Sequence, residues 1–209
     1  IQLAADRLRR KYKPDDEQAS EQFAEYLSII GRQVDDIGRM VDEFSAFARM
    51  PQPVMQPLAL RDLVLGQVGL YDGQGVEFEV DLGQPSESDQ MIGDAGLLRQ
   101  ALTNIIQNAL DSLAEQQVEM PVVRLSLAVR DGFLMLSVTD NGPGFPDIDR
   151  ASLVEPYVTK RDKGTGPGLA IVSKIIQDHG GELDLLDAEN GGARVVISLP
   201  CHEELETVT

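Results

Sequence analysis

The sequence is poor in several residue types, and each shortage narrows the kinds of protein it can encode. Its one cysteine, Cys201, cannot form a disulfide within the chain, which fits a reducing compartment. Lysines and arginines number 18 against 35 aspartates and glutamates, and the net charge of −17 disfavours long-range attraction to nucleic acid or anionic lipid. The sequence has no apolar run of about 18 residues, so no membrane span is predicted within it.

Histidine is also scarce, with two residues in the whole sequence. His179 stands in an Asp-His-Gly-Gly segment at the expected end of a helix, so a structural or capping role is predicted for it. His202 lies in the acidic C-terminal tail and is predicted to be solvated. The composition, 42% hydrophobic and 25% charged, is typical of a globular protein with one large or two small domains.

Residues 1–50 carry the pattern of a helical hairpin. A helical pattern over residues 1–12 is interrupted by the polar residues 14–20. A heptad seam then alternates spacings of four and three, as in a coiled coil or bundle. Its members are Phe23, Leu27, Ile30, Val34, Ile37, Val41, Phe44 and Ala48. One hairpin cannot bury both sides of such a seam, so two copies are expected to pair into a four-helix bundle as a homodimer.

A proline-rich linker is predicted over residues 51–57, because proline cannot continue a helix. Residues 58–200 are expected to form a second domain, followed by an acidic tail over 201–209. Its apolar patterns predict an α+β fold, a two-layer α/β sandwich with helices on one face of a mixed sheet. The predicted elements, besides a helix over 100–112, are a helix over 59–71, a strand over 76–80, and hairpins of 122–129 with 133–139 and of 182–186 with 194–199.

Three stretches of the second domain carry polar patterns that indicate chemistry. The first, Asp-Asn-Gly-Pro-Gly at residues 140–144, follows an apolar strand at residues 133–138. An acid followed by glycines at a strand end turns sharply and lets another molecule approach the backbone closely. Taken alone, however, this stretch is better explained as an ordinary Asn-Gly turn.

The second stretch is the helix over residues 100–112. At about 100° per residue, Asn104, Asn108 and Asp111 fall within roughly 60° of one another, and the apolar residues spread over the other side. A solvated polar face is the alternative, although such faces usually carry Glu, Lys and Arg. Asparagine is a poor helix former, and these oxygens suit Mg²⁺, which binds through few protein groups.

The third stretch, residues 160–169, is basic and rich in glycine and leads into an amphipathic helix. Backbone N–H groups and the positive end of a helix form an anion site at such a loop, although glycine-rich loops also act as plain hinges. It is not a Walker loop, because no Gly-Lys-Ser/Thr follows at the required spacing.

Together and in this order, the three stretches resemble the nucleotide-binding domain of sensor histidine kinases and the wider GHKL ATPase group of gyrase, Hsp90 chaperones and MutL repair proteins. Residues 104–111 resemble the N box, residues 140–144 the G1 box and residues 164–168 the G2 box. Leu-Val-Glu-Pro-Tyr-Val-Thr-Lys at residues 153–160 is similar to the F box. The details look most like the nitrogen-regulation, NtrY-like sensor kinases, over nearly the whole chain.

The resemblance implies a site for ATP and Mg²⁺. Asp140 would accept the adenine amino group, Gly142 and Gly144 would let the ring lie against the backbone, and Asn108 would hold Mg²⁺. Asp111 would either serve the water network or hold the helix. The lid residues expected to reach or wrap the phosphates are Thr159, Lys160, Gly164, Thr165, Gly166, Gly168 and Leu169.

Asn104, on the phosphate side of Asn108, and Lys160 are the catalytic residues that the resemblance implies. ATP-hydrolysing relatives carry a glutamate at the place of Asn104, and an asparagine cannot take a proton from water at neutral pH. The γ-phosphate is therefore expected to pass to a histidine and then to the receiver domain of a response regulator.

The phosphoacceptor box of the family is missing, and we expect the sequence to begin a few residues after it, so that this chain does not autophosphorylate. The region is expected in the cytoplasm, with the full-length protein anchored in the inner membrane through upstream regions. Two alternatives stay open: a hydrolase or chaperone-type ATPase of the same fold, and a dimeric interaction module with a degenerate site. Pro167 supports the latter, because the family usually has leucine there and proline removes a backbone N–H.

Overall fold

The structure, a computed structural model, describes residues 52–71, 73, 75–85, 89–147, 149–154, 168–189 and 191–201, together with residues 23, 25–31, 34 and 38. These belong to two compact units, one containing the described residues between 23 and 38 and the other the described residues from 52 onwards. The first helical pattern, most of the lid and the acidic tail after Cys201 lie outside the described residues.

The described residues between 23 and 38 are helical, as the heptad pattern predicts for that part of the seam. Leu27 is buried, whereas Tyr26, Ile29 and Ile30 are exposed. The seam positions at Ile37, Val41, Phe44 and Ala48 lie outside the described residues. The homodimer therefore stays a prediction.

The larger unit is built from single strands, pairs of consecutive strands, and the helices between them. The elements are β1 (Gln56–Ala59), α1 (Leu60–Val68) with a 3₁₀ turn (Gly69–Tyr71), β2 (Glu77–Asp81), β3 (Gln90–Gly93), α2 (Ala95–Glu115), β4 (Val122–Arg130), β5 (Phe133–Asp140), α3 (Arg150–Leu153), α4 (Gly168–Asp178), β6 (Glu182–Asp187) and β7 (Ala193–Pro200).

Five of the strands form one mixed sheet in the order β2-β4-β5-β7-β6. β2 and β4 are parallel, and the other neighbouring pairs are antiparallel. Asp131 and Gly132 join β4 to β5 with φ of 50° and 79°, as expected for a tight hairpin whose turn matches the twist of its strands. The mixed sheet and both predicted hairpins are confirmed.

Sequence patterns did not predict β1 and β3, which pair antiparallel in a separate two-stranded sheet. β1 begins inside the range predicted as a linker. Pro57 can lie in this strand, although it has no N–H, because both strands of a two-stranded sheet are edge strands. The N–H of Val54 already donates to the Asp94 carboxylate at 2.9 Å. The chain is thus bound to the larger unit from residue 54 onwards.

The helices α2 and α4 cover one face of the sheet with apolar side chains. α2 contacts β4, β5 and α4, while α4 also contacts β6. The residues of α2 predicted to be apolar and inward are all buried: Leu98, Leu102, Ile105, Ile106, Ala109 and Leu113. α4 adds Ala170, Ile171, Val172, Ile175 and Ile176 to the same core. This two-layer arrangement confirms the predicted fold class, and no helix within the described ranges is long and apolar enough to cross a membrane.

His179 joins the end of α4 to the start of α2. It is buried, its Nδ1 donates to the carbonyl oxygen of Ile175 at 2.7 Å, and its Nε2 accepts the N–H of Asp94 at 2.9 Å. Asp94 is in turn the N-cap of α2, where its Oδ1 accepts the N–H groups of Gly96 and Leu97 at 2.8 and 3.0 Å. These contacts give His179 the structural role that its sequence context predicts.

Asp94→Ala should weaken the domain in a pH-dependent way. The N–H groups of Val54, Leu97 and Gly96 hold the pKa of the Asp94 carboxyl below its usual range. A depressed folded-state pKa gives stability that is present above the unfolded pKa and is lost as the pH falls through the folded value. The substitution should lower the free energy of unfolding by about 1 kcal/mol at neutral pH, measured by urea denaturation, and by less below about pH 4.

Asp94→Asn is the matched control, because asparagine is also a good N-cap but does not titrate. It should keep most of the stability at neutral pH and lack the acid-dependent part. A cost of Asp94→Ala that stays constant between pH 7 and pH 3 would contradict the assignment of this carboxylate as a charged cap.

Candidate functional site

Asp140 ends β5 with a buried carboxylate whose two oxygens differ in their contacts. Oδ1 accepts the N–H of Gly142 at 2.8 Å and the N–H of Ala193 at 3.2 Å. No hydrogen-bond donor among the described residues contacts Oδ2. Within that part of the chain, Oδ2 is also not fully buried. One oxygen is therefore anchored by the backbone, and the other can accept a hydrogen bond from a ligand.

The turn after Asp140 is fixed by its neighbour, Asn141. The Asn141 Oδ1 accepts the N–H of Val122 at 2.8 Å, and its Nδ2 donates to the carbonyl oxygen of Met120 at 2.8 Å. The backbone N–H of Asn141 also donates to the carbonyl oxygen of Val122 at 3.3 Å. The turn is therefore held at the start of β4 by three hydrogen bonds.

The glycines of the turn lie where side chains would not fit. A Cβ on Gly142 would stand 2.9 Å from Asp140 Oδ1 and 3.4 Å from the Oγ of Ser112 on α2. Gly144 has a φ of 81°, which disfavours residues with a side chain, and a Cβ there would stand 3.1 Å from the carbonyl oxygen of Gly192. The turn thus presents bare backbone next to the Asp140 carboxylate.

The polar strip of α2 meets the start of α4. The Nδ2 of Asn104 donates to the carbonyl oxygen of Gly168 at 3.4 Å. The carboxamide atoms of Asn108 lie 3.8 and 3.9 Å from the position that a Cβ on Gly168 would take. Both asparagines are half-buried, and no hydrogen bond joins the Asn108 side chain to another described residue. The Asn108 carboxamide can therefore bind a ligand.

Asp111, the third member of the strip, is engaged on its own helix. It is half-buried, and its Oδ1 accepts the Nε2 of Gln107 at 2.8 Å. This contact is consistent with the helix-holding alternative for Asp111, and the part of Asp111 in a water network at the site stays a prediction.

One side of α2 connects the two ends of the site. Ser112 lies at the Asp140 turn, whereas Asn108 and Asn104 lie one and two helical turns earlier, next to Gly168. At 1.5 Å per residue, the distance along the axis from Asn104 to Ser112 is about 12 Å. The two ends can therefore contact different parts of one extended ligand.

The end of the site that can bind an anion is the N-terminus of α4. The first N–H groups of a helix lack partners within it, and the helix dipole makes this end positive. Leu169 is half-buried there, beside Gly168. The other predicted lid residues, Thr159, Lys160, Gly164, Thr165 and Gly166, lie outside the described residues, as does Pro167.

The chemistry of this end fits a magnesium ion bound together with phosphates. Within the described ranges, no group of three or more His, Cys, Asp or Glu side chains could hold a metal ion. Asn108 offers one carboxamide oxygen beside an anion-binding helix end. Mg²⁺ commonly binds through one or two protein groups and takes its other ligands from phosphates and water.

A cavity of about 450 Å³ lies on the opposite side of the sheet. Thr139 lies between Arg124 and Arg194 in the register of β4, β5 and β7, and the three side chains line this cavity. Arg124 is already paired with Glu79 at 2.5 Å. Asp140 and Asn141 also border the cavity, but no residue of α2 or α4 does. It is therefore separate from the polar strip.

Comparison with known proteins shows that the chain matches a known domain family. A domain model described as Histidine kinase-, DNA gyrase B-, and HSP90-like ATPase matches residues 93–203, more than half of the chain. The chain belongs to this ATPase family. The family resemblance drawn from the four boxes is thereby confirmed.

The ATPase domain and its N-terminal extension are similar to sensor kinases. Nitrogen regulation protein NtrY of Azorhizobium caulinodans is 41% identical over 203 residues, covering 95% of this chain and 26% of that protein. The structure of the mycobacterial sensor histidine kinase MprB is 30% identical with a TM-score of 0.59, covering 71% of this chain and 98% of that chain. Histidine kinase ThkA in complex with response regulator protein TrrA shares the fold, with a TM-score of 0.72 at 20% identity over 96% of this chain and 56% of that chain. The chain spans about a quarter to a third of the length of the curated relatives it matches.

Sequence reasoning missed several residues that shape the ATPase site. Asn141 was interpreted only as a turn residue, although its side chain fixes the turn. Gly192 and Ala193 were assigned only to the β6–β7 hairpin, yet both contact Asp140. The doublet Gly191-Gly192 was the available signal, because two adjacent glycines indicate positive φ or close backbone approach.

Proposed function

We propose that the chain contains the ATP-binding catalytic region of an NtrY-like two-component sensor histidine kinase. The observation that carries the proposal is the meeting of Asn104 and Asn108 with Gly168 at the N-terminus of α4. The same side of α2 lies next to the Asp140 turn at Ser112. The site therefore has a helix N-terminus that can bind an anion at one end and a carboxylate that can accept a hydrogen bond at the other. An adenine nucleotide has both chemical features in one molecule.

Asp140 recognises the adenine ring in this proposal. Its Oδ2 accepts the 6-amino group, while Oδ1 stays bound to the N–H groups of Gly142 and Ala193. A base with an oxygen at that position would place an acceptor against a carboxylate, which costs free energy on the kcal/mol scale. The bare backbone at Gly142 and Gly144 leaves room for the ring.

Asn108 and the N-terminus of α4 hold the triphosphate in this proposal. Asn108 would provide a protein oxygen for Mg²⁺, and the ion would neutralise negative charge on the phosphates. Lys160, outside the described residues, contributes a positive charge at the γ-phosphate. The chain's role is to position the triphosphate for in-line attack, which forms a P–N bond to an imidazole as ADP leaves.

Asn104 distinguishes this proposal from an ATP hydrolase. A hydrolase needs a general base for water, whereas Asn104 is a neutral carboxamide that donates to the Gly168 carbonyl. The site therefore holds ATP without rapid hydrolysis until a histidine side chain reaches the γ-phosphate.

The acceptor of the phosphoryl group is not His179. That ring is buried, and both of its nitrogens are engaged, with the Ile175 carbonyl and the Asp94 N–H. The proposed acceptor is a histidine in the phosphoacceptor box that the family resemblance implies for the dimerisation hairpin. Residues 1–50 are proposed as part of that hairpin, and the proposed recipient of the phosphoryl group is the receiver domain of a response regulator.

The proposed protein is a homodimer that works in the cytoplasm and is anchored in the inner membrane by regions outside this sequence. The support for this arrangement is the similarity to NtrY, of which the chain spans 26%. Residues 51–57, the last two of which begin β1, are proposed as the linker between the hairpin and the ATP-binding domain over residues 58–200.

The wild-type chain should bind ATP with Mg²⁺, and Asp140→Asn should weaken that binding by about 10- to 100-fold, because a carboxylate acceptor becomes a neutral amide. Isothermal titration calorimetry measures this directly. Asp184→Asn, the same change at an exposed carboxylate of β6, is the matched control and should leave the affinity unchanged. An unaltered affinity in Asp140→Asn would remove the adenine assignment.

Asn108→Ala should remove most of the gain in ATP affinity that Mg²⁺ provides, because it deletes the protein oxygen assigned to the ion. The measurement is ATP affinity in excess Mg²⁺ and in EDTA. Gln100→Ala is the control, since Gln100 is an exposed carboxamide on the same helix. A Mg²⁺ effect in Asn108→Ala as large as in the wild type would show that the ion is held elsewhere.

The 209-residue chain should acquire no acid-labile phosphoryl group when incubated with γ-labelled ATP and Mg²⁺, and should release inorganic phosphate only slowly at steady state. The physical reason is that His179 is buried and bonded at both nitrogens, while Asn104 cannot activate water. Strong self-labelling that disappears in His179→Gln would refute the first statement. Rapid phosphate release would favour the hydrolase alternative.

A further inference from the structure

We propose that the turn between β6 and β7 is a specificity device, in which Gly192 and the N–H of Ala193 position the Asp140 carboxylate for selection of adenine. This inference rests on the proposed ATP-binding function. It assigns a positioning role to two residues that carry no functional side chain and lie 52 and 53 positions after Asp140 in the sequence.

The backbone of Gly192 lies against the backbone of Asp140. A Cβ at Gly192 would overlap the carbonyl oxygen of Asp140 and stand 2.8 Å from its carbonyl carbon. It would also stand 3.1 Å from the Cα of Asn141. Both neighbours are backbone atoms of the turn, so they could be avoided only by moving the turn itself. Gly192 therefore sets how closely the two loops approach.

Ala193 controls the orientation of the carboxylate. Its N–H donates to Asp140 Oδ1 from one direction, and the N–H of Gly142 donates to the same oxygen from within the turn. Two donors on Oδ1 oppose rotation of the carboxyl group and leave Oδ2 as the oxygen available to a ligand. Hydrogen bonds to a carboxylate are stronger than those between neutral groups, so this orientation is well defined.

The β6–β7 turn is itself held in place independently of Asp140. The N–H of Ala188 donates to the Gly192 carbonyl oxygen at 3.0 Å, and the N–H of Gly191 donates to the Ala188 carbonyl oxygen at 3.1 Å. At the end of β6, both oxygens of Asp187 accept from Arg150 at 2.7 and 2.8 Å. The turn therefore acts as a fixed support rather than following the carboxylate.

Gly191 supplies a matched control within the same turn. It has a φ of 84°, close to the 92° of Gly192, so an alanine at either position is placed at a similar, unfavourable positive φ. Apart from its two neighbours in the chain, no described residue would have a heavy atom within 4 Å of a Cβ placed on Gly191. The two substitutions therefore differ in whether they displace Asp140.

The test compares ATP with purine riboside 5′-triphosphate, which lacks only the 6-amino group. Calorimetric affinities are measured for the wild-type chain, Gly192→Ala, Gly191→Ala and Ala193→Pro. Compared with Gly191→Ala, Gly192→Ala should lower the affinity for ATP at least about tenfold. It should lower the affinity for purine riboside triphosphate less than about twofold, because only ATP has the amino group that donates to Oδ2. A general loss of folding would weaken both nucleotides alike.

Ala193→Pro keeps the test decisive if Gly192→Ala does not fold. It replaces the N–H that points at Oδ1 with a ring carbon, and should reduce the preference for ATP in the same way. A full preference for ATP in a folded Gly192→Ala or Ala193→Pro would overturn the inference while leaving the proposed function intact. A wild-type chain that binds neither nucleotide would instead overturn the proposed function and, with it, this inference.

Discussion

The packing of α2 on the sheet is the interaction on which the rest of the ATPase domain depends. Its apolar residues lie over β4 and β5 and against α4, and each buried aliphatic side chain contributes about 1.5 to 3 kcal/mol. Their sum is comparable with the whole stability of a domain, about 5 to 15 kcal/mol. Because these residues can face the core in only one orientation, the opposite side of α2 must lie between the Asp140 turn and the start of α4. The position of the candidate site is therefore a consequence of core packing.

The two ends of the site are built by different means. At the Asp140 end, backbone N–H groups and close glycine contacts hold one carboxylate oxygen, so recognition there is rigid. At the Gly168 end, the Asn108 side chain makes no hydrogen bond to a described residue and can adapt to its ligand. A net charge of −17 opposes the approach of an anion, yet this repulsion is screened beyond about 8 Å at physiological salt. In the proposed function, the local field of the α4 N-terminus is what attracts the phosphates at short range.

Much of the fold and part of the candidate site could be predicted from periodicity. The spacing of Asn104, Asn108 and Asp111 against the apolar side of α2 gave the polar strip correctly, since burial on a helix repeats every 3.6 residues. β1 and β3 were missed because strands of four residues, one containing Pro57, show no alternation long enough to recognise. The contact of Ala193 with Asp140 joins residues 53 positions apart, and no local pattern encodes such a pairing.

The sequence by itself determined the helices and strands of the main sheet, the order of the four boxes and membership in the ATPase family, because each depends on residue types at short, regular spacings. Only the tertiary structure decided which oxygen of Asp140 is anchored, that His179 is engaged at both nitrogens, and that Gly192 lies against the G1 turn. The physical reason is that β7 pairs with β5 in the register that sets Thr139 opposite Arg194. That register brings the backbone of one loop against another, and it is fixed by packing of the whole sheet rather than by any segment of the chain.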